Sequence, residues 1–244
     1  SHGKIILEYL GADLRSNSTV VEIGCGLGGI LSAFHQKGHR VTGAELDPVA
    51  AKWGTEHGGF DIRAGSPEKL NDLNGKVDLV ILSHVVEHLP DPKSVLKQVR
   101  ELLKPDGALY IEVPGIKSLS YGQKGMCGIT EQHPHHKDFL EYVRSMHLWY
   151  FELETLKSLA GESGFSLTRG DELVRGVFKK AEEKTNWPAA RGPTVLGFLQ
   201  ALEDERVEFD HGDRIMNARV WAKTFLSWIK HEAQNQIKQL RKNN

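Results

Sequence analysis

A chain of 244 residues is long enough for one large domain or two small ones with a sizeable buried core. Its 31 Lys and Arg against 32 Asp and Glu leave a formal charge of −1, which argues against a dedicated nucleic-acid binder. Cys25 and Cys127 alone cannot make a disulfide framework, and neither a membrane-length apolar run nor a signal-peptide pattern stands out, so a soluble, cytoplasmic protein is expected.

Ile5, Ile6, Tyr9, Leu10 and Leu14 fall at helical spacing across residues 4–14, which predicts an amphipathic helix ahead of the first strand. Its place is either over the ligand mouth or over one end of the sheet. Val20-Val21-Glu22-Ile23 gives a short apolar run holding one acid. Gly24-Cys25-Gly26-Leu27-Gly28-Gly29 follows directly, ahead of the helical start Ile30-Leu31-Ser32-Ala33-Phe34. Strand, glycine turn and helix together make a nucleotide cradle. Residues without a Cβ let a ligand lie against backbone, and helix-start N–H groups point at it. Gly24, Gly26 and Gly29 satisfy G-x-G-x-x-G, a dinucleotide fingerprint that is weak alone. Glu22 with Gly24, Gly26 and Gly28 also satisfies acid-x-G-x-G-x-G, which puts the acid in place to meet a cationic or hydroxylated ligand. On this stretch the sequence resembles the class I S-adenosylmethionine-dependent methyltransferases, whose first motif reads much like VVEIGCGLGG.

Gly38 to Glu45 reads as a second strand ending in an acid, and Glu45 is suited to take both hydroxyls of a ribose at the carboxyl edge of a parallel sheet. Nicotinamide cofactors use an acid there too. Asp47-Pro48 supplies an N-cap and a first helical residue. A third strand, Phe60 to Arg63, leads to Gly65-Ser66-Pro67-Glu68, where the resembled family often has Gly-Asp-Ala-Glu. Ser66 therefore stands in for the acid that meets adenine, while Glu68 is either a first-turn helix acid or an inward group. Val77 to Ser83 is an apolar fourth strand. The stretch through Glu87-His88-Leu89-Pro90-Asp91-Pro92 looks like the family's Leu-Glu-His-(Val/Leu)-Pro-Asp-Pro, which a nicotinamide-binding domain has no reason to carry. The resemblance puts His84 at the methionine end of the cofactor and makes His88 a pocket residue or a loop anchor. Asp91-Pro92 caps a helix with Val95, Leu96, Val99, Leu102 and Leu103 as its buried stripe. Lys104-Pro105-Asp106-Gly107 is expected to break it, before a fifth strand over Ala108 to Pro114.

Between residues 114 and 151 the pattern lapses into a lid or binding loop carrying Tyr121, Glu131, His133, His135, His136, Asp138, His147, Trp149, Tyr150 and Phe151. Acceptor binding is expected here, through Tyr121, His133, His135, Trp149 and Tyr150, with His147 and His136 as candidate bases. A divalent metal is the secondary reading of His133-Pro134-His135-His136. It would need further ligands such as Glu131, Asp138 or His147, and no metal ligand is assigned. The stretch from His147 to Phe165 looks like the family's HLHxFxxxxLxxLLxxxGF. A helix over 152–163 and strands over 165–169 and 173–178 follow, the last antiparallel by resemblance, which covers about residues 18 to 180.

Lys179 to Lys184 reads as a charged linker, and residues 181–244 as a helical extension. Ala222, Leu226, Ile229, Ala233, Ile237 and Leu240, with Trp221, Phe225 and Trp228 beside them, suggest a long helix packed on the domain or on a second copy, which would make a homodimer. The expected fold is α/β, a doubly wound, mostly parallel, seven-stranded Rossmann-like sheet over residues 1–180 with the helical C-terminal extension. The resemblance implies an enzyme of the ubiquinone/menaquinone-type small-molecule branch. Its donor would be S-adenosylmethionine, leaving as S-adenosylhomocysteine, and its reaction O-methylation of a sugar, a sugar-linked natural product or another metabolite. Glu22, Gly24, Cys25, Gly26, Gly28, Glu45, Leu46, Ser66, Pro67, Ser83, His84 and His88 are the expected cofactor contacts. The alternatives are a nicotinamide-dependent oxidoreductase and a non-catalytic interaction module.

Overall fold

Five strands follow one another in parallel because each is separated from the next by a helical connection that carries the chain back. In the computed structural model they are β1 (Thr19–Ile23), β2 (Arg40–Glu45), β3 (Asp61–Ala64), β4 (Val77–Ser83) and β5 (Leu103–Glu112). Residues 1–115, 146–171 and 173–181, with the single position Gly197, are described. Gly197 aside, these belong to one compact unit, Ser1–Tyr121 with Ser145–Ala189. The expected helical extension beyond 181, the candidates Tyr121, His133, His135 and His136, and the metal reading of that cluster lie outside the described residues.

With β6 (Phe165–Asp171) and β7 (Arg175–Lys180) the sheet has seven strands in the order β3-β2-β1-β4-β5-β7-β6. β7 runs antiparallel to both β5 and β6, as the resemblance implies. The order reverses between β1 and β4, and their carboxyl ends open a crevice where ligands of doubly wound sheets bind.

Period-two alternation divides the core. Val21, Val80 and Leu82 pack with α4 (Pro92–Leu102) and α5 (Leu153–Glu162), while Val20, Leu79 and Ile81 pack with α1 (His2–Leu10) and α2 (Gly29–Gln36). α3 (Pro48–Gly58) begins on a true cap, since Val49 N donates to Asp47 Oδ1 at 2.8 Å, and Asp91 Oδ1 likewise accepts from Ser94 N at 3.1 Å.

Two expectations change. The first helix begins at His2 and stops where Gly11 adopts φ +52°, so Leu14 lies beyond it. The fifth strand begins at Leu103 and not at Ala108, so Lys104 to Gly107 is its irregular start, where Val77 pairs with Leu103 but Leu79 already pairs with Ala108. A Cβ on Gly107 would lie 2.9 Å from Val77 O, so the chain passes only as glycine. Leu103 is buried, but as a strand residue. The stretch after Ser66 is a 3-10 helix, Pro67–Leu73, and Glu68 faces solvent.

Candidate functional site

The glycine turn is pinned at both ends. Gly24 N and Cys25 N donate to Ala44 O at 2.8 and 3.3 Å, and Gly28 N donates to Cys25 O at 2.8 Å. Gly24, Gly26 and Gly28 adopt φ of +71°, +53° and +80°. Space separates their roles. A Cβ on Gly24 would lie 2.6 Å from Val85 Cγ2 and one on Gly28 2.7 Å from the Phe60 ring, whereas one on Gly26 meets nothing within 4 Å. Packing excludes side chains at 24 and 28, and at 26 the backbone faces open space. Gly29 has neither a positive φ nor a near neighbour, so the turn follows acid-x-G-x-G-x-G and not the dinucleotide spacing.

Acids surround this opening. Glu45, half-buried at the end of β2, accepts from Gly26 N through Oε2 at 2.8 Å and from Asp47 N through Oε1 at 2.9 Å. Leu46 beside it is 75% exposed, an apolar face at the mouth. Glu22 is 2% exposed, and its Oε2 has no hydrogen-bond partner among the described residues. Burial raises its carboxyl well above the usual range; a backbone bond from Leu31 opposes this, and Glu112 and Glu45 add to it. A cationic or hydroxylated ligand reaching this oxygen would satisfy it. Cys25 enters differently from expectation: its side chain is buried in the α1–α2 side of the core. Burial first, then Glu22 and Glu45, push its thiol up to about 12, so it offers backbone and bulk but no thiolate.

Gly65 N donates to Glu45 O at 2.8 Å and so brings Ser66 and Pro67 beside the second acid. The Ser66 hydroxyl bonds to Glu68, whose other oxygen accepts from Gln98 Nε2 at 3.3 Å.

The crevice floor holds residues the sequence reading missed. Glu112, fully buried at the end of β5, accepts from Ser83 Oγ at 2.5 Å and from Tyr110 OH at 2.8 Å, and pairs with His2 Nε2. The signal was present: Glu112 is an acid closing a strand, as Glu45 is, and Glu22 lies one residue before the end of β1. His2 carried no such signal, because only tertiary structure brings α1 over the β5 end. Along the same helix Tyr9 packs edge-on against Tyr110, with ring centroids 5.8 Å apart. The helix therefore lies along one sheet face while its first turn reaches the ligand edge.

Beyond Ser83 the chain turns through His84, which holds φ +54° and donates N–H to Glu112 O at 3.0 Å. His84 Nδ1 lies 3.2 Å from Glu87 Oε1. His88 Nδ1 bonds to Met146 O at 2.9 Å, and Trp149 Nε1 donates to Leu89 O at 2.7 Å. Leu148 N and Trp149 N both donate to Glu87 O, at 2.8 and 3.2 Å. His147 lies edge-on to His88, with centroids 4.8 Å apart, and Tyr150 packs against His147 with centroids 5.8 Å apart. The 146–150 segment is thus fastened to the turn after β4, whose Val85 packs against Gly24, which brings His84, His88, His147, Trp149 and Tyr150 together beside the glycine turn.

A doubly wound sheet whose first two strands end in acids around an open three-glycine turn defines a binding site for a ribose-bearing, adenosyl-type cofactor. A family model described as a methyltransferase domain matches residues 4–169. The chain belongs to that family, of the class I type whose cofactor is S-adenosylmethionine, and this sets aside the nicotinamide alternative. Among curated relatives, a ubiquinone biosynthesis O-methyltransferase of Xanthomonas oryzae is 32% identical over 149 residues, 55% of this chain and 62% of the relative. One from Pseudomonas aeruginosa is 30% identical over 173 residues, 65% of this chain and 73% of the relative. The chain thus spans about three fifths of the Xanthomonas relative's length. Among solved structures, an S-adenosylmethionine-dependent methyltransferase from Mesorhizobium loti superposes with TM-score 0.52 at 16% identity, over 71% of this chain and 96% of that one. No helix among the described residues is long and apolar enough to cross a membrane.

Proposed function

We propose that the protein transfers the methyl group of S-adenosylmethionine to a hydroxyl of a small-molecule acceptor. The observation that carries this reading is the open backbone over Gly26, flanked by Glu45 and by the unpartnered buried oxygen of Glu22. Glu45 would take the ribose hydroxyls, Leu46 would cover the adenine, and Ser66 with Pro67 would close that end. Glu22, Ser83 and His84 would meet the methionine portion. The bound cofactor supplies an electrophilic methyl; the chain's own task is to align the acceptor oxygen with it and to see its proton removed. Trp149 and Tyr150 offer aromatic faces at this edge, which suits a ring-bearing acceptor. The relatives' names favour a phenolic hydroxyl within that class over the sugar expected from the lid's polar residues. His147 can serve the acceptor in two exclusive ways, as a base or as the ligand of a cation that holds it.

Titration calorimetry with S-adenosylmethionine, S-adenosylhomocysteine and NAD tests the cofactor step. Micromolar binding of both adenosyl compounds and none of NAD is expected. Binding of neither by folded protein would overturn the reading and favour the interaction module. Mass spectrometry of a phenol panel and a sugar panel incubated with the donor then decides the acceptor: methyl gain confined to sugars would reverse the preference.

A further inference from the structure

We propose that Glu87, His88 and His147 form a divalent-cation site of the zinc-like, first-row transition class. One ligand atom from each lies within 4.8 Å of the others, and the three come from two separate chain segments fastened together. The first argument is the carboxylate. Glu87 is 1% exposed, and its Oε2 has no hydrogen-bond partner among the described residues. An ionised carboxyl in that setting needs a positive counterpart.

The second argument is tautomeric. His88 Nδ1 lies 2.9 Å from Met146 O, and a carbonyl only accepts, so Nδ1 carries the proton. In the neutral ring, Nε2 then presents its lone pair to Glu87 Oε1 across 3.9 Å. That gap is too wide for a direct hydrogen bond, so neither atom satisfies the other. A dication resolves both problems. Metal-bound histidines characteristically donate their second nitrogen to a carbonyl or carboxylate, as His88 does. Tetrahedral zinc with ligands at about 2.0–2.1 Å holds them roughly 3.3 Å apart. The cluster therefore needs to contract by up to about 1.5 Å, which the half-buried His147 can supply.

One carboxylate with two imidazoles suits zinc and its neighbours better than magnesium or calcium, which take oxygen sets. His84, 3.2 Å from Glu87 Oε1, orients the carboxylate or provides a fourth ligand. The cation would bind the 146–149 segment to the turn after β4. That turn also carries Val85, which packs against Gly24, so the ion would sit beside the cofactor cradle. Coordination uses the lone pair a base needs, so a filled site removes His147 from general-base work. The inference rests on the cluster's own geometry and stands apart from the methyl-transfer reading.

The test is Co2+ titrated into the full chain after chelator treatment and dialysis, followed by visible absorption and calorimetry. A saturable absorption band at one equivalent per chain is expected. His147→Asn and Glu87→Gln should each weaken Co2+ binding at least about tenfold. His147→Asn replaces a half-buried group and keeps the comparison interpretable, with circular dichroism confirming its fold. Absence of a saturable band overturns the site. So does a band of unchanged affinity in the His147→Asn protein, which would place the metal on other histidines of the chain. S-adenosylhomocysteine titrated into the same samples separates failure of the metal site from failure of the methyltransferase reading.

Discussion

The two turns that line the crevice are built by opposite means. Residues 24–28 follow β1 with three glycines at positive φ, and what they present is bare backbone and open space at Gly26. Residues 84–89 follow β4 without a glycine. There the positive φ falls on His84, and the binding groups are side chains around the buried Glu87. The first turn is shaped to let something approach the chain, and the second to hold something with imidazole and carboxylate. On the proposals above, the first task belongs to the cofactor and the second to its methionine end and the cation beside it.

If that contrast is right, side chains should be ruinous in the first turn for reasons that differ from glycine to glycine. Gly24→Val combines φ +71° with a Cβ 2.6 Å from Val85 Cγ2, and should cost about 4 kcal/mol of stability from strain and overpacking. Urea denaturation measures it, with S-adenosylhomocysteine affinity falling more than about a hundredfold. Gly26→Ala has no clash to answer for and should lose only about 1 kcal/mol of stability, yet most of the ligand affinity. Unchanged affinity in Gly26→Ala would show that the open side is not the ligand side.

The acids distinguish the turns next. The folded protein keeps the Glu22 carboxyl raised well above the ordinary glutamate range, chiefly by burial. Below the unfolded value both states are protonated and the group contributes nothing against folding. As pH rises through that range the unfolded chain ionises first, so stability falls by about 1.4 kcal/mol per pH unit until the folded value is reached. Glu22→Gln removes this titration. It should be more stable than the parent at pH 7, the advantage disappearing as pH falls below the ordinary glutamate range, while its affinity for the adenosyl ligand drops. Thermal melts at pH 7 and below that range check the sign. A variant less stable at pH 7 would mean that the buried acid is paired in solution.

Much of this was legible in the sequence, and the parts that were not share a cause. The first turn announces itself because glycine spacing is a local rule, and the caps Asp47-Pro48 and Asp91-Pro92 are local in the same way. Even the choice between two glycine patterns was open only because φ at Gly28 and Gly29 is not written in the letters. The second turn is assembled from residues 84–89 and 146–150, nearly sixty positions apart, and its key bonds run through backbone carbonyls of Met146 and Glu87 that any side chains would provide. Glu112 with His2, 110 positions away, was hidden for the same reason. The start of β5 was expected at Ala108 and not at Leu103 because Lys-Pro-Asp-Gly carries turn chemistry even where it opens a strand.

The smallest effect is the most diagnostic of the two designs. Non-glycine residues in the left-handed region cost about 1 kcal/mol or more, so His84→Gly relieves strain at φ +54° while losing a bond to Glu87 and gaining unfolded-state entropy. These contributions oppose one another, and chemical denaturation should show a net change within about 1 kcal/mol, against about 4 kcal/mol for adding a side chain at Gly24. Methyl transfer, or Co2+ affinity, should fall although the fold is untouched. A histidine kept in a strained conformation where glycine serves stability equally well is held for its imidazole. If the glycine variant were instead destabilised as strongly as Gly24→Val, His84 would be a packing residue, and the second turn would differ from the first only in sequence.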